Sequence, residues 1–400
     1  MQRNIRLFAA YRVISRCYFH LPVLLFYFWL MDTGMYRIIA LLAIYGLSST
    51  FCASLSGILL RAFSQKQVVA IGELAKAAGL ALILWGTRQT EFSVAVLGIA
   101  QIIGGAGFSI ALSTDSSLLR QIVRPGGDPG LFMQVQTRTQ SQMFIATLLA
   151  GTAGSILFDY NPQWPFFASL LASLLSVLVI LPINEPPQPA EEQGAVKPAA
   201  LQLLPQQQFW MIFYSLSRAF TLAPFIGFIP FYFIMVNVEP LLFGAVLSFF
   251  TLSAFAAAKV GNVIIQRYGV NMLLALTVML MLGALLLFGF SSELAAMGID
   301  YFISGLAAIG LLGLGSGAIR PVTMANLDVS QNSAAERMHI FGRMERDFGL
   351  ANGLLLMAGA VLLVNQGVEA LMIAFSGFYL LSMAGLIALR RYHEKALTPC

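Results

Sequence analysis

An eight-residue pattern, S-R-x-[YF]-x-x-x-P, occurs twice in this chain, the copies lying roughly half its length apart. They are Ser15-Arg16-Cys17-Tyr18-Phe19-His20-Leu21-Pro22 and Ser217-Arg218-Ala219-Phe220-Thr221-Leu222-Ala223-Pro224. Both sit inside long apolar stretches, where an arginine is expensive unless it faces water or a counter-charge. A proline there frees a backbone carbonyl that must find another partner. A duplicated, kinked and charged helix implies a pathway built from two related halves.

The surrounding composition is that of a membrane. The chain is 58% hydrophobic and 10% charged, with a mean hydropathy of +0.80, against roughly a quarter charged residues in an ordinary soluble domain. Crossing a bilayer takes about 20 apolar residues, and blocks of that length fill nearly the whole sequence. Twelve helices are predicted, near 8-30, 37-61, 67-87, 92-119, 131-158 and 164-183, then near 209-235, 241-265, 270-290, 300-325, 338-364 and 369-390. Between the two series lies a polar, proline-rich stretch carrying Pro186, Pro187, Pro189, Pro198 and Pro205, which reads as a linker. The expected organisation is an N-terminal six-helix bundle over 1-183, a cytoplasmic linker over 184-208 and a C-terminal six-helix bundle over 209-400. Met1 to Leu30 has the positive start of a signal peptide but no small-x-small cleavage site, and reads as a retained first span.

Lysine and arginine fall mainly in alternate loops: Arg3, Arg6, Arg61, Lys66, Arg120, Arg124, Lys197, Arg267, Arg337, Arg390, Arg391 and Lys395 on one side, Arg37 and Arg88 on the other. Positively charged loops stay cytoplasmic, so both termini and the linker are expected in the cytoplasm, with a bacterial inner membrane as the setting. The basic residues sit singly at helix ends and form no patch with interleaved aromatics, so nucleic acid is not an expected partner. Cys17, Cys52 and Cys400 and His20, His339 and His393 are scattered; no disulfide framework, metal site or cofactor is expected.

Twelve helices in a six-plus-six arrangement, with a duplicated first helix and a central linker, resemble the major facilitator superfamily over the whole chain. The signature of that family between helices 2 and 3, G-x-x-x-D-[RK]-x-G-[RK]-[RK], appears in eroded form as Gly57-Ile58-Leu59-Leu60-Arg61-Ala62-Phe63-Ser64-Gln65-Lys66. The leading glycine and the last base remain, and Arg61 stands where the aspartate would be. Gln266-Arg267-Tyr268-Gly269 keeps the R-[FY]-G part in the second half. Of the proton-antiporter motif R-x-x-x-Q-G only Gln101 survives, and Gly151-Thr152-Ala153-Gly154 is a poor match to G-P-x-x-G-G. The resemblance implies an all-α membrane fold of two pseudo-symmetric six-helix bundles. It also implies that helices 1, 4, 7 and 10 line a central cavity, placing Arg16, Asp115, Arg218 and Arg320 on its wall.

The residues themselves sharpen this. Arg12, Arg16 and His20 are spaced four apart and share one face of helix 1. Arg12 either snorkels to the interface or belongs to this stripe. For Arg16 and its repeat partner Arg218 a cavity role is favoured, because exposure to lipid would cost on the order of 2.5–3.5 kcal/mol. His20, with an unperturbed pKa of about 6.5, is either a packing residue or a switch. Tyr18 and Gln101 are further candidates for substrate contact. Glu73 and Lys76 are an i,i+3 pair able to neutralise each other. Pro22, Pro224 and Pro321 fall on helices 1, 7 and 10, where kinks permit rocking. Arg138 on helix 5 and Arg343, Glu345, Arg346 and Asp347 at the start of helix 11 are candidates for an ionic gate.

Arg16, Arg138, Arg218 and Arg320 against Asp115 make a cationic chamber, which attracts anions in a low-dielectric surround. The expected function is secondary active transport of a small organic anion or zwitterion by alternating access. Protons are the expected coupling ion, with Asp115, Glu73, Glu345 and Asp347 as carriers. Efflux is the expected direction; a proton-driven multidrug antiporter and an importing symporter are the alternatives. G-x-x-x-x-G-K-[ST] is absent, which argues against ATP drive within this chain. No cluster of catalytic side chains points to an enzyme, and a monomer is expected.

Overall fold

The apolar blocks fold as helices. The computed structural model describes residues 2–52, 55–87, 94–123, 129–185, 204–327 and 334–397. Span α1 is broken, with α-helical pieces Gln2–Ile14 and Leu24–Leu30. It is followed by α2 (Met35–Phe51), α3 (Gln65–Gly86), α4 (Val94–Val123), α5 (Pro129–Tyr160) and α6 (Trp164–Ile180). The second series is α7 (Pro205–Met235), α8 (Pro240–Tyr268), α9 (Val270–Gly289) and α10 (Tyr301–Asn326). The run Ala334–Leu397 then breaks at Gly367 into α11 and α12. Among the described residues eight helices are long and apolar enough to cross a membrane, one of them, Gly342–Arg390, containing that break; Leu21–Leu30, Met35–Phe51 and Trp164–Ile180 are shorter apolar helices.

Local chemistry accounts for the boundaries. Proline opens α5, α7 and α8 at Pro129, Pro205 and Pro240, where its missing N–H would have had no helical partner. Gly269, between α8 and α9, has φ 82°, and Gly367, between α11 and α12, has φ 84°; a side chain is strained in that region of backbone space. The helix expected over 37-61 ends at Phe51, and a short helix, Leu55–Leu59, follows. The Ser49 and Thr50 hydroxyls donate to the Gly46 carbonyl, competing with the helical ladder just before it stops. Span α7 begins at Pro205, four residues ahead of the expected start. Most of the linker, 186–203, lies outside the described residues.

Packing separates the chain into Met1–Val196 with Pro240–Ser248, and Lys197–Glu239 with Phe249–Cys400. In the first unit Phe8 and Tyr11 of α1, Val69 of α3, Leu118 and Ile122 of α4 and Val177 and Ile180 of α6 form one buried cluster. The loop between α2 and α3, with its eroded signature, is a fastening. Glu185 accepts from the Ser64 hydroxyl at 2.9 Å and from the N–H groups of Gln65 at 3.2 Å and Lys66 at 2.7 Å. A carboxylate is favoured at that positive helix start. Lys66 Nζ in turn donates to the carbonyls of Leu181 and Ile183, at the end of α6.

The two units repeat one close helix contact. A Cβ added to Gly105 of α4 would meet the Tyr45 carbonyl oxygen, Ser48 Cβ and Ser49 N of α2. One added to Gly313 of α10 would meet the Phe250 carbonyl oxygen, Ser253 Cβ and Ala254 N of α8. The same three atoms, at positions i, i+3 and i+4, face the same glycine in each half, where two backbones approach too closely for any side chain.

Candidate functional site

In the first unit the duplicated octapeptide is unwound. Helix geometry stops at Ile14, residues 15–20 are irregular, and a 3₁₀ turn, Leu21–Val23, leads into Leu24–Leu30. Inside a membrane each freed backbone group needs another partner, and side chains of three other helices supply them. Lys76 Nζ donates to the Ser15 carbonyl at 3.3 Å, and the Thr147 hydroxyl donates to the Arg16 carbonyl at 3.3 Å. The His20 N–H donates to Ser169 Oγ at 3.1 Å, while the His20 ring nitrogen Nδ1 lies 2.8 Å from the same oxygen. Gly154 lies against the Phe19 carbonyl so closely that a Cβ there would overlap it.

The second copy keeps its helix through Arg218, and Pro224 is absorbed in a π turn, Pro224–Phe228. Composition contributes to the difference. The second copy carries Ala219 and Leu222, which favour helix, where the first has Cys17 and His20, which favour it less.

The charges on α1 do three different things. Arg12 does not snorkel: it is 3% exposed and reaches α4, where Nε and Nη2 donate to the two oxygens of Asp115 at 3.2 and 3.1 Å. Its remaining donors go to Gln136 at 2.8 Å, Thr139 at 3.1 Å and Ser116 at 3.2 Å. Asp115, 2% exposed, is therefore held in a two-pronged ion pair. Glu73 and Lys76 form a second buried pair at 2.7 Å, and the hydroxyls of Tyr11 and Ser176 donate to the Glu73 oxygens at 3.3 and 3.1 Å.

Arg16 differs from both. Its Nη1 donates to the Tyr18 hydroxyl at 2.7 Å, and its guanidinium carbon lies 5.9 Å from the Tyr18 ring centre and 5.4 Å from that of Phe108. Nε is buried without a hydrogen-bond partner, and among the described residues no carboxylate lies within ion-pair distance. His20 packs its ring against Tyr18 and Phe166. Gln101 is buried on α4 with its Nε2 unpartnered. Pro22 is buried in the 3₁₀ turn, and Arg138 is exposed on α5.

In the second unit Arg218 Nη1 donates to both oxygens of Glu345 on α11, at 2.8 and 2.7 Å, and to the Tyr214 hydroxyl. The Tyr214 hydroxyl donates to a Glu345 oxygen at 2.6 Å, so the three groups form a closed set. The Arg218 guanidinium also lies 4.3 Å from the Phe348 ring centre. Both charged side chains are accessible, 37% and 47% exposed. Arg343 and Arg346 share Asp347, at 3.6 and 3.4 Å. Arg320 is exposed on α10, and no carboxylate of the described residues pairs with it. Pro321 follows it inside α10; its side chain lies outside the described residues. Among the described residues no group of three or more His, Cys, Asp or Glu could hold a metal ion.

The family model described as Major Facilitator Superfamily matches residues 22–330. The chain belongs to that superfamily. Its fold is that of solved transporters. A point mutant of the nucleoside transporter NupG superposes with a TM-score of 0.78 at 14% identity, covering 96% of this chain and 99% of the other. NupG itself gives 0.73 at 16% identity, covering 98% and 100%. A bacterial homologue of the iron transporter ferroportin, in its inward-facing state, gives 0.74 at 15% identity, covering 97% and 99%. No curated protein matches the sequence. At such identities the fold is shared, and this chain is a transporter integral to a membrane.

The partners of two side chains were not read from the sequence: Arg12, placed in the helix 1 stripe, pairs with Asp115, and Tyr214 joins Arg218 and Glu345. A signal existed for each. Arg12 sits one turn before Arg16, Tyr214 one turn before Arg218, and residues four apart share a helix face.

Proposed function

We propose that this superfamily member is a secondary active transporter for a small organic anion or zwitterion, working by alternating access and driven by protons. Arg16 carries the reading. In the interiors of α1, α3 and α4, Arg12 is matched by Asp115 and Lys76 by Glu73. The guanidinium of Arg16 is left facing aromatic rings, with no carboxylate of the described residues within ion-pair distance. An uncompensated cation in a low-dielectric surround attracts an anion and repels lipophilic cations, which argues against the multidrug reading.

Arg218 and Glu345 supply the second ingredient. Their pair is accessible, so an arriving anion competes with Glu345 for Arg218, and a proton on Glu345 releases Arg218 to the anion. Proton and anion then favour each other's binding. Efflux is the direction the sequence suggests; this pair favours a second reading, uptake of the anion together with protons.

Reconstitution into proteoliposomes tests both. Labelled organic anions are expected to accumulate saturably under an imposed proton gradient and to lose accumulation in Arg16→Gln. Transport confined to lipophilic cations, or anion transport indifferent to both Arg16→Gln and Arg218→Gln, would overturn the reading. The sign of the gradient that drives accumulation separates co-transport from exchange.

A further inference from the structure

Arg16 says more about its ligand than the sign of the charge. Three atoms of a guanidinium donate, and here they are not equivalent. Nη1 is occupied by the Tyr18 hydroxyl at 2.7 Å. Nε is buried and unpartnered, and Nη2 donates to no described residue. Nε and Nη2 together form one edge of the guanidinium plane, whose two parallel N–H bonds match the two oxygens of a carboxylate. Tyr18 thus occupies one end of the head group, and the fork is left without an acceptor among the described residues.

The surroundings of the fork are aromatic. Tyr18 and Phe108 approach the guanidinium from α1 and α4, and Tyr45 of α2 packs against Phe108 with ring centres 6.2 Å apart. Lys76 Nζ lies 5.3 Å from the centre of the Tyr18 ring and is already neutralised by Glu73, as Arg12 is by Asp115. The local balance is therefore one positive charge. A second ligand charge in this chamber would be desolvated without a counterpart.

Building on the proposed anion transport, we infer that Arg16, Tyr18 and Phe108 form a subsite for a monocarboxylate with a planar, aromatic body: the carboxylate lies on the Nε/Nη2 edge and the ring lies against Phe108. Dicarboxylates and phosphate fail for want of a second cation, and small aliphatic acids bind weakly because they leave the aromatic surface wet.

Calorimetric titration of the purified full-length protein in nanodiscs tests this with benzoate, acetate, succinate, inorganic phosphate and benzyltrimethylammonium as probes. Benzoate is expected to bind saturably, at least tenfold more tightly than acetate or succinate. Arg16→Lys keeps the charge and loses the fork, and is expected to weaken benzoate at least tenfold. Phe108→Leu keeps the fork and loses the ring, and is expected to weaken benzoate and leave acetate unchanged. Unaltered melting temperatures identify folded variants, and the two substitutions act at separate sites. Equal affinity for benzoate and acetate, or full benzoate binding by Arg16→Lys, overturns the subsite while leaving anion transport in place. Binding of benzyltrimethylammonium with no anion bound or transported overturns the anion reading itself.

Discussion

Arg12 and Asp115 meet across α1 and α4 through two parallel hydrogen bonds of 3.1 and 3.2 Å, both side chains almost wholly buried. Removing one partner strands the other in the interior. Asp115→Asn or Arg12→Met alone is expected to lower stability by about 3–5 kcal/mol, whereas replacing both by apolar residues of similar volume recovers most of it. Thermal melts monitored by size-exclusion chromatography in detergent check this. Equal losses in the double and single variants would show that the ion pair is not the source.

The unwound stretch of α1 depends on Ser169. Its hydroxyl accepts from the His20 N–H, and a buried donor left without a partner costs about 1–3 kcal/mol. Ser169→Ala is therefore expected to lower the melting temperature, and Ser169→Thr, which keeps an oxygen at the same place, to restore part of it.

Matching glycines should behave alike. Gly105→Ala and Gly313→Ala each push a Cβ into a neighbouring backbone, and each is expected to cost about 1–3 kcal/mol, the usual penalty of overpacking. Gly98 is the internal control: a Cβ there meets nothing within 4 Å, and Gly98→Ala should be neutral or slightly stabilising because alanine is the better helix former. A large loss at Gly313 with none at Gly105 would contradict the repeat in packing.

In the proposed cycle Glu345 trades a proton against Arg218, its ion-pair partner. Glu345→Gln removes the exchangeable proton and the competing carboxylate together. Substrate exchange across the membrane is expected to persist at equal concentrations on both sides, while accumulation driven by a proton gradient falls at least tenfold. Intact accumulation in Glu345→Gln would move the coupling to another carboxylate.

Much of this was legible in the sequence. Hydropathy and length are properties of consecutive residues, and they are enough to predict an all-helical membrane chain, because a bilayer permits no lipid-exposed segment with unpaired backbone groups. The duplicated octapeptide announced two related halves. The i,i+3 pairing of Glu73 and Lys76 was equally readable, since both partners lie on one helix turn.

What only tertiary structure decided is which charges neutralise which, and where helix gives way. Arg12 and Asp115 are separated by about a hundred residues and joined only by packing; Arg218 and Glu345 likewise meet across two helices. The two octapeptides share a pattern yet differ in backbone, because unwinding is stable only where Lys76, Thr147 and Ser169 stand ready to take the freed groups. Local sequence sets how easily a helix breaks; partners brought from distant helices set whether the break is stable, since in a membrane no water can substitute for them.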